Sequence, residues 1–181
     1  DKEIFNFDRK GRGIVNMQEV LNQSLNTGMV FVEKKLGKEK LRDYLFSFGI
    51  KDKTGIDLPN ETSGLVSNLN SPREIEYANA SFGQGIALTS VEMVRALAAL
   101  ANGGNLVVPH LVKEIRYEGG GSKKMIYPST RTKITEKTSE EITRMLVTVM
   151  DKAIKGGLAK LEHFSVAVKT GTAQVADNTT G

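Results

Sequence analysis

The chain has 181 residues, 39% of them hydrophobic and 25% charged, which suits one globular domain able to bury a core of its own. It contains no cysteine, which excludes thiol catalysis, thiolate metal sites and disulfides. The formal net charge is only +4, and the two histidines, His110 and His163, are too far apart in sequence to suggest a histidine-based metal cluster.

Apolar residues recur at helical spacing from Val15 to Phe31, at Met17, Val20, Leu21, Leu25, Met29 and Val30. Gly28 interrupts the pattern, so it predicts two short helices, or one with a break near Ser24–Gly28. A further helix is predicted from Lys38 to Phe48, with Leu41, Leu45 and Phe48 on one side and Gly49 as its stop. Residues Lys51 to Arg73 are rich in turn formers, including Pro59, Gly64 and Pro72. Ile56, Leu58, Leu65 and Val66 punctuate them, so the stretch reads as an ordered surface loop.

Two later helices carry start signals. Thr89-Ser90-Val91-Glu92 matches a capping box, in which the threonine hydroxyl and the glutamate carboxylate each satisfy an orphan backbone donor. Thr138-Ser139-Glu140-Glu141 repeats the pattern, with Gly156-Gly157 as the expected stop. Strands are predicted at Leu106–Val108, Leu111–Tyr117, Met125–Tyr127 and Phe164–Val168. Helices followed by strands and a hairpin indicate an α+β domain with a mostly antiparallel sheet. The basic residues concentrate between Lys113 and Lys137 around Gly119-Gly120-Gly121. With only Tyr117 and Tyr127 as aromatics, this reads as a solvated hairpin, and no nucleic-acid partner is expected.

The strongest chemical signal is Phe164 to Gln174, FSVAVKTGTAQ. An apolar run delivers Lys169, Thr170, Gly171 and Thr172. The ammonium supplies positive potential, the two hydroxyls can donate to a carboxylate, and the glycine lets a substrate backbone lie close. A backbone N–H just past the glycine could serve an oxyanion hole. The same three letters recur at Lys53-Thr54-Gly55 with polar flanks and no preceding strand, where they read as a turn. A second signal is Ser24-Leu25-Asn26 at the helix break. A hydroxyl and a carboxamide two residues apart can relay a proton and orient a substrate amide or a catalytic lysine. Alone, the pair is short enough to be ordinary helix-end chemistry.

Ser-x-Asn followed by Lys-Thr-Gly, in this order and at this separation, resembles the second and third motifs of the class B penicillin-binding proteins, the D,D-transpeptidases that cross-link peptidoglycan. The stretches between also resemble that family: Thr54–Gly64, Tyr77–Gly104 and Val108–Ile115. The resemblance runs from about Ile14 to Gln174. It implies the penicillin-binding/β-lactamase-like α+β fold, with an antiparallel sheet flanked by helices. Ser24 then resembles the proton-relay serine, Asn26 the substrate-orienting asparagine and Lys169 the third-motif lysine. Thr170 and Thr172 resemble the hydroxyls that hold the substrate or β-lactam carboxylate, and Gly171 the glycine between them. The Thr172 N–H would form half of the oxyanion hole. Gly83-Gln84-Gly85 resembles an element near the active-site floor, and also reads simply as a tight turn.

The family's first motif, Ser-x-x-Lys, is absent: no serine in the chain is followed three residues later by lysine. We therefore expect residues 1–181 to be a partial transpeptidase domain, lacking an upstream segment with the nucleophile and the final strands. The start at Asp1 without Met and the end at Gly181 read as cuts. By the resemblance, the parent would bind peptidoglycan stem peptides and β-lactams and meet cell-division or elongation proteins, with no cofactor. It would face the outside of the cell membrane, tethered by an N-terminal helix. Two other readings compete. A serine β-lactamase or β-lactam sensor shares the superfamily, but the Phe82-to-Gly104 stretch resembles transpeptidases more closely. A non-catalytic penicillin-binding-like assembly module requires that the full gene also lack Ser-x-x-Lys.

Overall fold

The computed structural model describes residues 3–171. The α+β expectation holds, with six α-helices and four short strands among the described residues. The chain divides into two compact units. One comprises residues 1–41, 67–86 and 142–181, and the other residues 42–66 and 87–141.

In the first unit, α1 (Met17–Asn22) and α2 (Asn26–Leu36) realise the predicted broken helix. Asn16 caps α1 by accepting from the Glu19 N–H. The helix ends in a Schellman motif: the Leu25 N–H bonds to the Val20 carbonyl at 3.0 Å and the Ser24 N–H to the Leu21 carbonyl at 3.3 Å. Val20 and Leu25 are both buried, the two positions at which an apolar pair often accompanies this motif. Gly28 is required beyond the break, because a Cβ there would lie 2.7 Å from a Val20 methyl. The first residues of α3 (Lys38–Ser47) follow, with Lys38 bonded to Glu74 at 2.9 Å.

Helix α4 (Glu74–Ala80), missing from the sequence-based expectation, buries Tyr77, Ala78 and Ala80. Its Tyr77 hydroxyl donates to the Leu69 carbonyl at 2.7 Å, fixing the 3-10 turn Ser67–Asn70 whose Leu69 is fully buried. Gly83-Gln84-Gly85 is the tight turn that leaves this helix, with both glycines at positive φ. The second half of α6 (Glu136–Thr148) adds Met145 and continues into a π-helical turn, Val149–Ala153, which buries Val149.

The second unit is built around α5 (Ser90–Ala101), whose capping box is as predicted. Thr89 Oγ1 accepts from the Glu92 N–H, and the Glu92 carboxylate accepts from the Thr89 N–H at 2.7 Å. Glu92 also takes the Gly64 N–H at 3.0 Å, tying the 51–66 loop to the helix start. Antiparallel pairing forms two two-stranded ladders, β1 (Asn105–Leu106) with β4 (Thr130–Arg131) and β2 (Glu114–Arg116) with β3 (Ser122–Lys124). The second is the solvated basic hairpin, turning through Gly120 and Gly121 at positive φ. Ile50, Ala99 and Leu106 are the buried apolar residues of this unit.

Several boundaries are corrected. Helix α6 begins before Thr138, and Thr135 caps it by accepting the Thr138 N–H. Thr138 is thus inside the first turn rather than at the cap. The helix gives way to the π-helical turn before Gly156-Gly157, and Lys155 and Gly156 are left-handed. Phe164–Val168 joins no ladder among the described residues. Its alternating pattern suits a strand, but a strand exists only where another backbone pairs with it.

Candidate active site

Ser24 sits at the left-handed position of the Schellman motif, with φ of +53°. That position favours glycine, because a Cβ crowds the carbonyl there. A serine in this conformation stores on the order of 1 kcal/mol of backbone strain. Helix α1 thus ends by turning its chain so that Ser24 is exposed just before α2 begins.

Lys169 Nζ donates to Ser24 Oγ at 2.7 Å. It also donates to the Thr170 carbonyl at 3.1 Å and to Thr170 Oγ1 at 3.3 Å. The two sequence signals therefore meet. The last turns of α6, just before the π-helical turn, touch both of their segments. The Met145 carbonyl accepts from Gln18 Nε2 of α1 at 3.0 Å, and the neighbouring Leu146 carbonyl accepts from the Val168 N–H at 3.3 Å. Two successive carbonyls so hold the helix before Ser24 and the segment before Lys169. Partial desolvation keeps the Lys169 pKa below that of a free lysine.

Asn26 is the first residue of α2, and its Nδ2 donates to the Phe5 carbonyl at 3.0 Å rather than to Ser24 or Lys169. Among the described residues no donor reaches its Oδ1, at the start of the helix. Thr170 and Gly171 are exposed, and among the described residues a Cβ on Gly171 would meet nothing within 4 Å. Thr172, with its expected hydroxyl and N–H roles, lies outside the described residues.

Lys53-Thr54-Gly55 is an irregular segment rather than the expected turn, with Gly55 at positive φ, and its chemistry parallels the expectation for the C-terminal motif. Thr54 and Gly55 donate their N–H groups to Glu61, at 2.6 Å and 3.1 Å, and the Thr54 hydroxyl also donates to the same carboxylate. Burial would raise the Glu61 pKa, but the hydrogen bonds from Thr54 and Gly55 outweigh it and lower the pKa. The Thr54 and Gly55 donors here are already taken by the chain's own carboxylate, so they offer no open site.

Sequence reasoning missed Asn6, which is 5% exposed and accepts from both the backbone N–H and the hydroxyl of Thr27. No local signal marks it, because its partner lies 21 residues away.

The family described as "Penicillin binding protein transpeptidase domain" matches residues 1–181. Stage V sporulation protein D of Bacillus subtilis is 36% identical over 175 residues, covering 92% of this chain and 26% of the relative. Peptidoglycan D,D-transpeptidase MrdA of Acinetobacter baumannii is 30% identical over 180 residues, again 92% of this chain and 26% of the relative. Among solved structures, penicillin-binding protein 3 of Mycobacterium tuberculosis complexed with aztreonam superposes with a TM-score of 0.78 at 26% identity. That match covers 84% of this chain and 34% of the other. The chain thus spans about a quarter of the length of the curated relatives it matches. The order of the motifs, the α+β fold and these similarities agree: the chain belongs to the penicillin-binding protein transpeptidase domain family.

Proposed function

We propose that residues 1–181 are one part of a peptidoglycan D,D-transpeptidase domain. Its nucleophile would be a Ser-x-x-Lys serine contributed by sequence outside these residues. The observation that carries the reading is the 2.7 Å hydrogen bond between Lys169 and Ser24, which unites the second and third motifs.

In this reading the incoming nucleophilic serine attacks a carbonyl of the stem peptide. A serine O–C bond forms, the amide C–N bond breaks, and the proton passes to the leaving amine. Ser24 relays that proton. Lys169 holds the Ser24 oxygen, and its positive charge, with the Thr170 and Thr172 hydroxyls, attracts the substrate carboxylate. Gly171 allows close approach of the substrate backbone, and Asn26 orients the substrate amide through its free oxygen. The Thr172 N–H and the nucleophile's own N–H stabilise the oxyanion. A β-lactam is the same acylating carbonyl beside a carboxylate, so it takes the same groups. Aztreonam in the similar M. tuberculosis structure is in keeping with this. No metal or organic cofactor enters the chemistry. The working protein would act on the outer face of the cell membrane, anchored by a helix outside these residues, and meet division or elongation proteins there.

The test is labelling with a fluorescent penicillin and denaturing electrophoresis, on this chain and on a longer protein carrying its upstream coding sequence. The reading requires a covalent label on the longer protein only. Absence of label on a folded longer protein refutes it and favours the non-catalytic assembly module.

A further inference from the structure

We propose that Asn6 is a positioning residue for the Ser24–Asn26 turn, capping helix α2 from outside the helix. The proposal rests on the transpeptidase reading above and adds a group to it.

The need for such a residue follows from the double duty of position 25. Leu25 is the N-cap of α2, yet it has no side-chain hydrogen bond to offer. It is apolar and buried, as is Val20, in keeping with the hydrophobic pair that often accompanies a Schellman motif such as the one ending α1. One side chain cannot both close α1 with an apolar contact and cap α2 with an oxygen. The first N–H groups of α2 are therefore left without a local acceptor.

Asn6 supplies it. Its Oδ1 accepts from the Thr27 N–H at 3.1 Å and from Thr27 Oγ1 at 3.0 Å. Its Nδ2 donates to the Lys10 carbonyl at 2.9 Å, closing the 6–10 turn in which the Arg9 N–H returns to the Asn6 carbonyl. Asn6 is 5% exposed, so its own amide is largely withdrawn from competing water. One residue earlier, the Phe5 carbonyl takes the Asn26 amide at 3.0 Å. Fixing Asn6 fixes the Phe5 carbonyl, and that carbonyl sets which way the Asn26 carboxamide faces. Asn6 thus reaches the site through Thr27 and Asn26 and touches no reacting atom.

The experiment uses the longer protein that carries the upstream segment. It measures the penicillin acylation rate constant over a range of concentrations, together with the thermal midpoint. Asn6→Asp keeps the acceptor for Thr27 but turns a carboxylate oxygen toward the Lys10 carbonyl, whereas Asn6→Ala loses both bonds. The expected result is a fall of about tenfold or more in the saturated acylation rate of Asn6→Ala, through misplacement of the turn. Asn6→Asp should stay within about threefold of wild type. Neither change should track the thermal midpoint. Asn6→Ala acylating at the wild-type rate overturns the proposal while leaving the transpeptidase reading intact. A wild-type protein that takes no label overturns both. Should Asn6→Ala fail to fold, Asn6→Gln decides, because it moves the oxygen outward by one methylene: a wild-type rate in that variant overturns the proposal.

Discussion

Lys169 Nζ lies 2.7 Å from Ser24 Oγ although 145 residues separate the two in the chain. The bond itself is exposed and contributes little to folding. Both of its sides are tied to α6, whose Met145 and Leu146 carbonyls hold Gln18 on one side and Val168 on the other. The site is thus organised by a helix end that carries none of its chemistry.

Ser24 at φ of +53° gives a stability–activity conflict that can be measured. Ser24→Gly should stabilise the protein by about 0.5–1 kcal/mol in denaturant unfolding, because glycine adopts this conformation without strain. The same change should abolish penicillin acylation in the longer protein. A variant that is less stable than wild type contradicts the strain argument.

Gln18 joins α1 to the Met145 carbonyl and to Asn22 through one amide nitrogen. Gln18→Leu should cost about 1 kcal/mol in unfolding free energy. It should also slow acylation more than a surface substitution of equal stability cost, since the Ser24–Lys169 distance depends on that link. Matched-stability controls, compared at one temperature, decide between the two effects.

Lys169 should give a pH signature. Desolvation lowers its pKa, so the protonated form is penalised in the folded state. That penalty is present below the folded pKa and fades as pH rises through it towards the unfolded value of 10.5. Relative to Lys169→Met, wild type should therefore gain stability as pH rises through the lowered pKa. Acylation should lose rate as pH climbs through the lowered pKa, and Lys169→Arg should move that alkaline limb upward. A limb unmoved by arginine assigns it to another group.

Asp57 predicts an acid limb in the second unit. The Leu111 and Val112 N–H groups, both at 2.8 Å, lower its pKa, with a further bond from the Tyr127 hydroxyl at 3.2 Å. The stabilisation is present above the unfolded value near 3.8 and is lost as pH falls through the lower folded value. Asp57→Asn should melt at lower temperature than wild type above pH 4, about the unperturbed aspartate pKa. The difference should close in stronger acid. A constant difference at every pH would mean that the carboxylate charge is irrelevant to the link.

Much of this was legible from local chemistry. The Thr89–Glu92 capping box, the break after α1 and the basic hairpin follow from residues within a few positions of each other, and the structure has all three. The pairing of Ser24 with Lys169 was legible only through motif order, since nothing local connects them. Helix α4 was missed because seven residues after Pro72 give too short an apolar pattern to separate from a loop. Phe164–Val168 shows the opposite failure: its alternation is strand-like, but among the described residues its one backbone bond is from Val168 to a helix carbonyl, and no ladder forms. At the start of α6, Thr135 and Thr138 offer the same hydroxyl three residues apart, so the pattern alone could not select the cap. Asn6 left no sequence signal at all, because its value depends on Leu25 being committed to Val20.

The most direct measurement of the central claim is a double-mutant cycle on penicillin acylation in the longer protein, using Ser24→Ala, Lys169→Ala and the pair. If the two groups act as one unit, the double variant will acylate no more slowly than the worse single variant, a strongly non-additive result. Losses that simply add would show that Ser24 and Lys169 act independently, and would contradict the proposed site.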